Sequence, residues 1–139
     1  MVVPGSTRTL ARAECLDLLA GGGLGRVAAT VAAVPVVYPV AFGLLGEDVV
    51  FRTSPGSRLQ RAVENAVVAF EADDVDGSCR TGWVVQVVGV ARPVSGPAVL
   101  ATPHLRLSTG SGSDRLVVIC DAVFSGHRLL PAEPSPASG

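Results

Sequence analysis

The side chains best suited to binding an anion lie in residues 52–58, which read Arg-Thr-Ser-Pro-Gly-Ser-Arg. Ser57, followed three residues later by Gln60, matches a capping box and predicts that a helix begins at Ser57. Arg58 would then lie in the first helical turn, where a cation opposes the helix dipole at a cost of about 0.3–1 kcal/mol. A bound phosphate would reverse the sign of that interaction. The candidate phosphate cradle comprises Arg52, Thr53, Ser54, Ser57 and Arg58.

The two arginines of the cradle also have an interpretation that involves no ligand. Each can be solvated, or can pair with Glu71 or Asp48, and exposed ion pairs of this kind contribute little to stability. The residues alone favour neither the anion site nor the ion pairs.

The remaining polar residues indicate neither a catalytic side chain nor a metal site. The acidic run 71–76 follows a strand-like segment into a turn, where carboxylates are more often solvated than bound to a cation. His104 and His127 lie in no nucleophile motif such as Gly-x-Ser-x-Gly. The three cysteines are odd in number and far apart, which favours reduced thiols over zinc ligands.

Length and composition are those of one globular domain. Of 139 residues, 48% are hydrophobic and 17% charged, which gives enough apolar surface for a core and too little charge for a disordered chain. The net charge of −1, without a basic cluster, argues against nucleic-acid binding. The N-terminus lacks the pattern of a signal peptide, and no apolar run reaches the roughly 18 residues needed to cross a bilayer. We therefore expect a cytoplasmic protein without a membrane segment.

Hydrophobic periodicity predicts two short helices and six strands. Leucine-rich helical spacing covers residues 10–20 and stops at three glycines, and an i, i+3, i+4, i+7 pattern covers residues 57–65. Runs of β-branched residues separated by hairpin-length turns favour antiparallel pairing. Residues 96–105 are predicted to hold a short helical turn. The predicted strands are 24–32, 36–45, 48–54, 66–74, 82–94 and 114–126, in one barrel domain over residues 10–130, with a flexible N-terminus at 1–9 and a disordered tail at 131–139.

Five segments, in their order and spacing, resemble the pyridoxamine 5′-phosphate oxidase-like flavoproteins, in the branch that includes nitroimidazole-resistance proteins. They read ECLDLLAGGGLGRVA, PVVYPVAFGLLGEDVVFRTSPGSRL, VAFEADDVD, GWVVQVVGVARPV and DRLVVICDAVFSGHRL, and the likeness covers residues 10–129. The resemblance implies a mainly β fold with a few short helices: a six-stranded antiparallel split β-barrel. It also implies a homodimer that binds FMN in two clefts at the subunit interface.

The resemblance further implies roles for particular residues. Residues 52–58 would hold the FMN phosphate, the strand at 39–42 would lay its backbone along the isoalloxazine ring, and Trp83 would lie near the cofactor or the dimer seam. The implied cofactor-binding residues are Pro39, Val40, Ala41, Phe42, Arg52, Thr53, Ser54, Ser57, Arg58 and Trp83, and none is implied to be catalytic.

The implied function is that of a flavin-dependent oxidoreductase that passes a hydride or electrons to a small organic acceptor. Ala41 stands where many relatives carry Asn, Val84 where they carry Ser or Gln, and His127 where the closing motif usually has arginine. These departures leave a deazaflavin as an alternative cofactor. They also leave a non-catalytic protein that binds or sequesters a flavin, or a dimeric scaffold without a ligand, as alternative functions. Residues after 130 lack the basic and aromatic segment with which the true oxidases hold pyridoxamine phosphate, so oxidation of vitamin B6 is not expected.

Overall fold

Seven strands and two short helices make up the residues that the computed structural model describes, which are 6–78, 81–94 and 115–131. In chain order the elements are β1 (Ser6–Thr9), α1 (Arg12–Leu19), β2 (Gly23–Val31), β3 (Val34–Leu45), β4 (Asp48–Thr53), α2 (Arg58–Val63), β5 (Val67–Asp76), β6 (Thr81–Val94) and β7 (Arg115–Leu130). Around the barrel the strands follow the order β7-β4-β3-β2-β5-β6, and β6 pairs with β7 to close it. Every pairing is antiparallel. The structure confirms the predicted six-stranded antiparallel split β-barrel.

A further strand, β1, was not predicted from the sequence and lies outside the barrel. It pairs with the C-terminal end of β7, from Ser6 opposite Leu130 to Thr9 opposite His127. Every residue of β1 is exposed, so its sequence shows no apolar alternation that would mark a strand. The helical turn predicted at 96–105 lies outside the described residues, and the ends of the domain remain predictions.

The helix α1 packs onto the barrel through Cys15 and Leu19, which lie in the core. Burial raises the pKa of the Cys15 thiol. Glu14 accepts a hydrogen bond from the Ala11 backbone N–H at 3.2 Å and pairs with Arg8 at 3.0 Å. These contacts, the Arg8 hydrogen bond first among them, lower the pKa of the Glu14 carboxyl. Neither helix that the structure describes is long and apolar enough to cross a membrane.

The core is formed mainly by the inward-facing side chains of the barrel strands, joined by Cys15, Leu19, Leu59 and Val63 of the helices. A second, small buried cluster contains Val50 and Leu116. Along β2, Val27 is buried while its neighbours Arg26 and Ala28 are exposed and half-buried, as the two-residue period of a strand requires. Phe42 and Phe70 meet edge to face inside the barrel at a centroid distance of 4.9 Å. The largest fully buried side chains are Phe51, Phe70, Leu19, Ile119, Val27, Val49, Val50, Val63, Val68, Val85 and Val87.

A β-bulge between β6 and β7 interrupts the pairing of the two longest described strands. Val88 is opposite Val123, but Val90 is opposite Cys120, so β7 has one residue more than β6 over this interval. Asp121 has φ 50°, a left-handed conformation that Asp adopts more readily than most residues. Bulges bend strands and increase their twist, which helps a sheet to close into a barrel.

Candidate functional site

A β-turn joins β4 to α2 at the phosphate cradle. Pro55 and Gly56 occupy its central positions, and the Ser57 N–H donates to the Ser54 carbonyl oxygen at 3.2 Å. Gly56 has φ 72°, the conformation that a type II turn requires at this position and that glycine adopts without strain. The turn therefore brings the start of α2 back beside the end of β4.

Ser57 caps α2, as the sequence pattern predicted. Its hydroxyl oxygen accepts a hydrogen bond from the Gln60 backbone N–H at 3.1 Å. The second half of the capping box differs from the prediction, because the Ser57 N–H is already bonded to Ser54 and the Gln60 side chain accepts from the Gly56 N–H instead. The turn and the helix are thus held together by side-chain as well as backbone hydrogen bonds.

Four of the five cradle residues lie at or near the surface, and the fifth is buried. Ser54 and Arg58 are exposed, and Arg52 and Ser57 are half-buried. Thr53 is only 2% exposed, and its hydroxyl donates to a backbone carbonyl oxygen of β7 at 3.4 Å. The Thr53 hydroxyl therefore already donates a hydrogen bond within the barrel wall.

The charge of Arg58 is balanced by none of the residues described. Arg58 makes no ion pair or hydrogen bond with any of them, Glu71 and Asp48 included. Glu71 instead accepts a hydrogen bond from Gln86 at 2.8 Å. The first turn of α2 has no acidic residue to offset the arginine. Of the two interpretations of Arg58, ion pairing with those carboxylates is thus not observed.

A groove of about 400 Å³ lies beside the cradle, between α2 and the β2–β3 hairpin. Arg61, like Arg58, makes no ion pair or hydrogen bond within the described part of the chain. No sequence motif marks Arg61, although its spacing of three residues from Arg58 places both on one helix face. The residues that line the groove are Arg58, Arg61 and Ala62 from α2, and Thr30, Val31 and Ala32 from the hairpin.

The strand β3 presents the predicted ring-contact residues on two opposite faces. Val40 and Phe42 are 4% and 3% exposed and lie in the core, whereas Pro39 is exposed and Ala41 half-buried on the outside. A ligand outside the barrel therefore meets Val40 and Phe42 only through their backbone, which is the contact that the resemblance implies. Phe42 pairs with Phe51 near the end of β4, so this stretch adjoins the cradle.

Trp83 lies far from the cradle within one chain. It lies near the start of β6, opposite Arg128 of β7. Arg52 is opposite Leu116, and Leu116 is opposite Val94 at the other end of β6. Trp83 and Val94 are eleven residues apart, near opposite ends of that strand. A single chain does not bring Trp83 to the cradle.

An exposed apolar row crosses five neighbouring strands on the outside of the barrel. Its consecutive members are directly opposite one another in the register of the sheet. Its three valines, on β3, β6 and β7, are 64%, 44% and 70% exposed. The members of this apolar row are Val37, Ala28, Ala69, Val88 and Val123.

Polar side chains border the apolar row two or four residues away from it along the strands. Gln86 Nε2 donates to Glu71 Oε2 at 2.8 Å, and Arg26 Nη1 lies 3.7 Å from Asp73 Oδ2. An apolar strip with a polar border is the arrangement found in protein interfaces.

Three of the four acidic side chains of the run 71–76, Glu71, Asp73 and Asp76, make hydrogen bonds or an ion pair with neighbouring residues. Besides the contacts of Glu71 and Asp73, Asp76 Oδ1 accepts from the Ser78 N–H at 2.9 Å and from the Ser78 hydroxyl at 2.6 Å. Across residues 6–78, 81–94 and 115–131, no group of three or more His, Cys, Asp and Glu side chains is arranged to hold a metal ion.

Comparison with known proteins assigns the chain to a family. The sequence model of the pyridoxamine 5′-phosphate oxidase family matches residues 11–115, which is more than half of the chain. The chain belongs to the pyridoxamine 5′-phosphate oxidase family. This confirms the family that the sequence resembled, while the nitroimidazole-resistance branch remains a prediction.

Other proteins share sequence and fold with this member of the pyridoxamine 5′-phosphate oxidase family. The uncharacterized protein Rv0080 of Mycobacterium tuberculosis is 35% identical over 134 residues, which cover 91% of this chain and 88% of Rv0080. The structure of a FAD-binding protein from Mycobacterium smegmatis is similar with a TM-score of 0.71 and 33% identity, over 90% of this chain and 100% of that one. A FAD-binding protein from Mesorhizobium loti shares the fold, with a TM-score of 0.68 and 20% identity over 88% of this chain and 97% of that one.

Proposed function

We propose that this protein is a flavin-binding oxidoreductase that holds FMN, or the FMN moiety of a larger flavin, with its phosphate in the cradle at 52–58. The observation that carries the proposal is Arg58, an arginine in the first turn of α2 without a partner among the described residues. The similarity of the chain to a FAD-binding protein of M. smegmatis, at 33% identity over 90% of the chain, supports a flavin as the anion.

The exposed and half-buried groups of the cradle fit a phosphate by charge and by hydrogen bonding. Arg52 and Arg58 carry planar guanidinium groups that can donate paired N–H bonds to phosphate oxygens. The Ser57 hydroxyl oxygen accepts from Gln60, which leaves its own proton available for donation. The Ser54 side chain is exposed beside them. The cradle thus offers donors for a phosphate group.

A bound flavin supplies the hydride or electron transfer, and the residues of the chain bind it, orient it and shield it from water. The backbone of β3 at 39–42 is proposed to lie along the isoalloxazine ring, beside the cradle. Ala41 is half-buried on the outer face of β3, and Val84, which is half-buried next to Trp83 on β6, would join it only from a second copy of the chain. A surface lined in this way suits an apolar or aromatic acceptor.

We further propose that the flavin site is completed by a second copy of the chain. The valine side chains of the apolar row are exposed to water, and a partner molecule would cover them. In a dimer with a two-fold axis, this face of one copy would pack against the same face of the other copy. Trp83 and the cradle lie at opposite ends of β6, so we propose that the Trp83 beside a flavin in the cradle belongs to the partner copy. A homodimer accounts for both observations.

Flavin binding by the Arg58→Glu variant tests this proposal. We expect the purified wild-type protein to give a saturable shift in the visible absorption spectrum of added FMN or FAD, and the variant to bind at least about tenfold more weakly, because a carboxylate then faces the phosphate. Without ligand the melting temperature of the variant should stay the same or rise slightly, since Glu suits the first helical turn. Arg92→Glu changes an exposed arginine on β6 and serves as the matched control.

Two results would count against the proposal. Equal flavin binding by wild type and Arg58→Glu would show that residues 52–58 do not hold the phosphate. Binding of neither FMN, FAD nor a deazaflavin would remove the flavin itself. Oxidation of NAD(P)H or of a reduced deazaflavin, with a quinone or nitroaromatic acceptor, then distinguishes an enzyme from a protein that only binds the flavin.

A further inference from the structure

We infer that the groove between α2 and the β2–β3 hairpin is a second phosphate subsite, built around Arg61, for the adenosine-side phosphate of a dinucleotide. The inference rests on the proposed function, because the first phosphate is the one held by the cradle. It adds a binding role for Arg61 and for Thr30, to which neither the sequence pattern nor the proposed cradle assigns one.

The charges in the groove favour the binding of an anion. Arg58 and Arg61 are separated by three residues on one helix, where like charges repel each other. Both are exposed, neither pairs with a described residue, and the described residues that line the groove include no carboxylate. An anion between the two guanidinium groups would turn this repulsion into attraction.

The shape and lining of the groove suit more than an inorganic ion. Its volume of about 400 Å³ falls within the range of about 300–1,000 Å³ found for pockets that take organic ligands. Thr30 is exposed and its hydroxyl can donate to a phosphate oxygen. Val31, Ala32 and Ala62 supply an apolar surface against which a nucleoside can pack.

The groove is continuous with the cradle because Arg58 belongs to both. A phosphate in the cradle and a phosphate at Arg61 would therefore be neighbours, and the Arg58 guanidinium group could donate to both, as it could to the two linked phosphates of a diphosphate. The second phosphate could come from either of two ligands. It belongs either to the adenosine side of a flavin adenine dinucleotide or to a separate nucleotide bound next to FMN.

The test compares FMN, FAD, and ADP added to the FMN-bound protein, by absorption or calorimetric titration, for wild type, Arg61→Gln and the control Arg92→Gln. We expect Arg61→Gln to weaken FAD binding by at least about tenfold, as loss of a charge-assisted contact does, and to leave FMN binding within about twofold. Arg92→Gln should match wild type with every ligand. Weaker ADP binding by Arg61→Gln, without a change for FAD, would support the subsite and assign it to a separate nucleotide.

Unchanged FAD and ADP binding by Arg61→Gln would overturn the subsite, as would an equal loss for FMN and FAD. In both cases flavin binding by the wild-type protein would leave the proposed function standing. If no flavin bound but ADP bound to the wild type and tenfold more weakly to Arg61→Gln, the flavin proposal would fail and the groove would stand as a nucleotide site. No binding of any of the three ligands would overturn both. The circular dichroism and melting temperature of each variant show that it is folded.

Discussion

At the scale of single residues, the barrel depends on a position where only glycine fits. A Cβ atom on Gly25 would lie 2.6 Å from the Phe70 ring carbon Cζ and 3.1 Å from the Glu71 carbonyl oxygen. Phe70 is fully buried and packs against Phe42, so its ring has no space to move away. The sequence shows Gly25 only as part of a glycine-rich stretch, and the need for it comes from a ring 45 residues further along the chain.

We expect Gly25→Ala to lower the free energy of unfolding by about 1–3 kcal/mol, the usual cost of overpacking a core. Gly21→Ala is the matched control, since a Cβ atom there would have no described neighbour within 4 Å. It should be neutral or stabilising by up to about 1 kcal/mol, because alanine restricts the unfolded chain. Urea denaturation measures both, and equal effects of the two substitutions would contradict this account of Gly25.

At the scale of elements, the β2–β3 hairpin carries a local conformational cost. Ala32 and Ala33 form its turn with φ values of 49° and 67°, the left-handed region that type I′ turns require and that Asn and Gly usually fill. This conformation costs an L-residue roughly 1–2 kcal/mol. The sequence predicted a turn here but not its type. The type depends on the length of the loop, and the register of nine pairs, from Gly23 opposite Phe42 to Val31 opposite Val34, sets this loop to two residues.

Ala33→Gly should therefore stabilise the protein by about 0.5–1 kcal/mol, after the greater freedom of glycine in the unfolded chain is subtracted. The control is Ala13→Gly on the exposed face of α1, which should destabilise by about 0.5–1 kcal/mol. Thermal unfolding of the two variants should shift the melting temperature in opposite directions. A lower melting temperature for Ala33→Gly would refute the strain at this turn.

At the scale of the whole molecule, the barrel exposes an apolar face whose residues are far apart in the sequence. The apolar row takes one residue from each of five strands, and the register brings these residues into line. Val123, with 70% of its surface exposed, contributes most to this face. A second copy of the chain that covers the row would remove these side chains from water.

We expect the wild-type protein to sediment as a dimer at micromolar concentration and Val123→Glu to sediment as a monomer, because the interface would then bury two unpaired carboxylates. Val34→Glu is the control, since Val34 is 56% exposed at the hairpin turn and lies outside the row. The monomeric variant should also lose flavin affinity, as the proposed site takes Trp83 from the partner. A wild-type monomer, or a dimer of Val123→Glu, would exclude the row as the interface.

The sequence by itself determined the antiparallel barrel, the two helices and the cap at Ser57, because strand alternation, helical spacing and capping are local patterns. It did not predict β1, whose residues are all exposed and therefore leave no apolar signal. Only the tertiary structure decided which groups meet. The pairing of strands buried the Thr53 hydroxyl against β7, placed Trp83 at the opposite end of β6 from the cradle, and set Arg61 across a groove from Thr30. In each case the residues are distant in sequence, so their positions relative to one another depend on strand register and helix packing, which local sequence patterns do not specify.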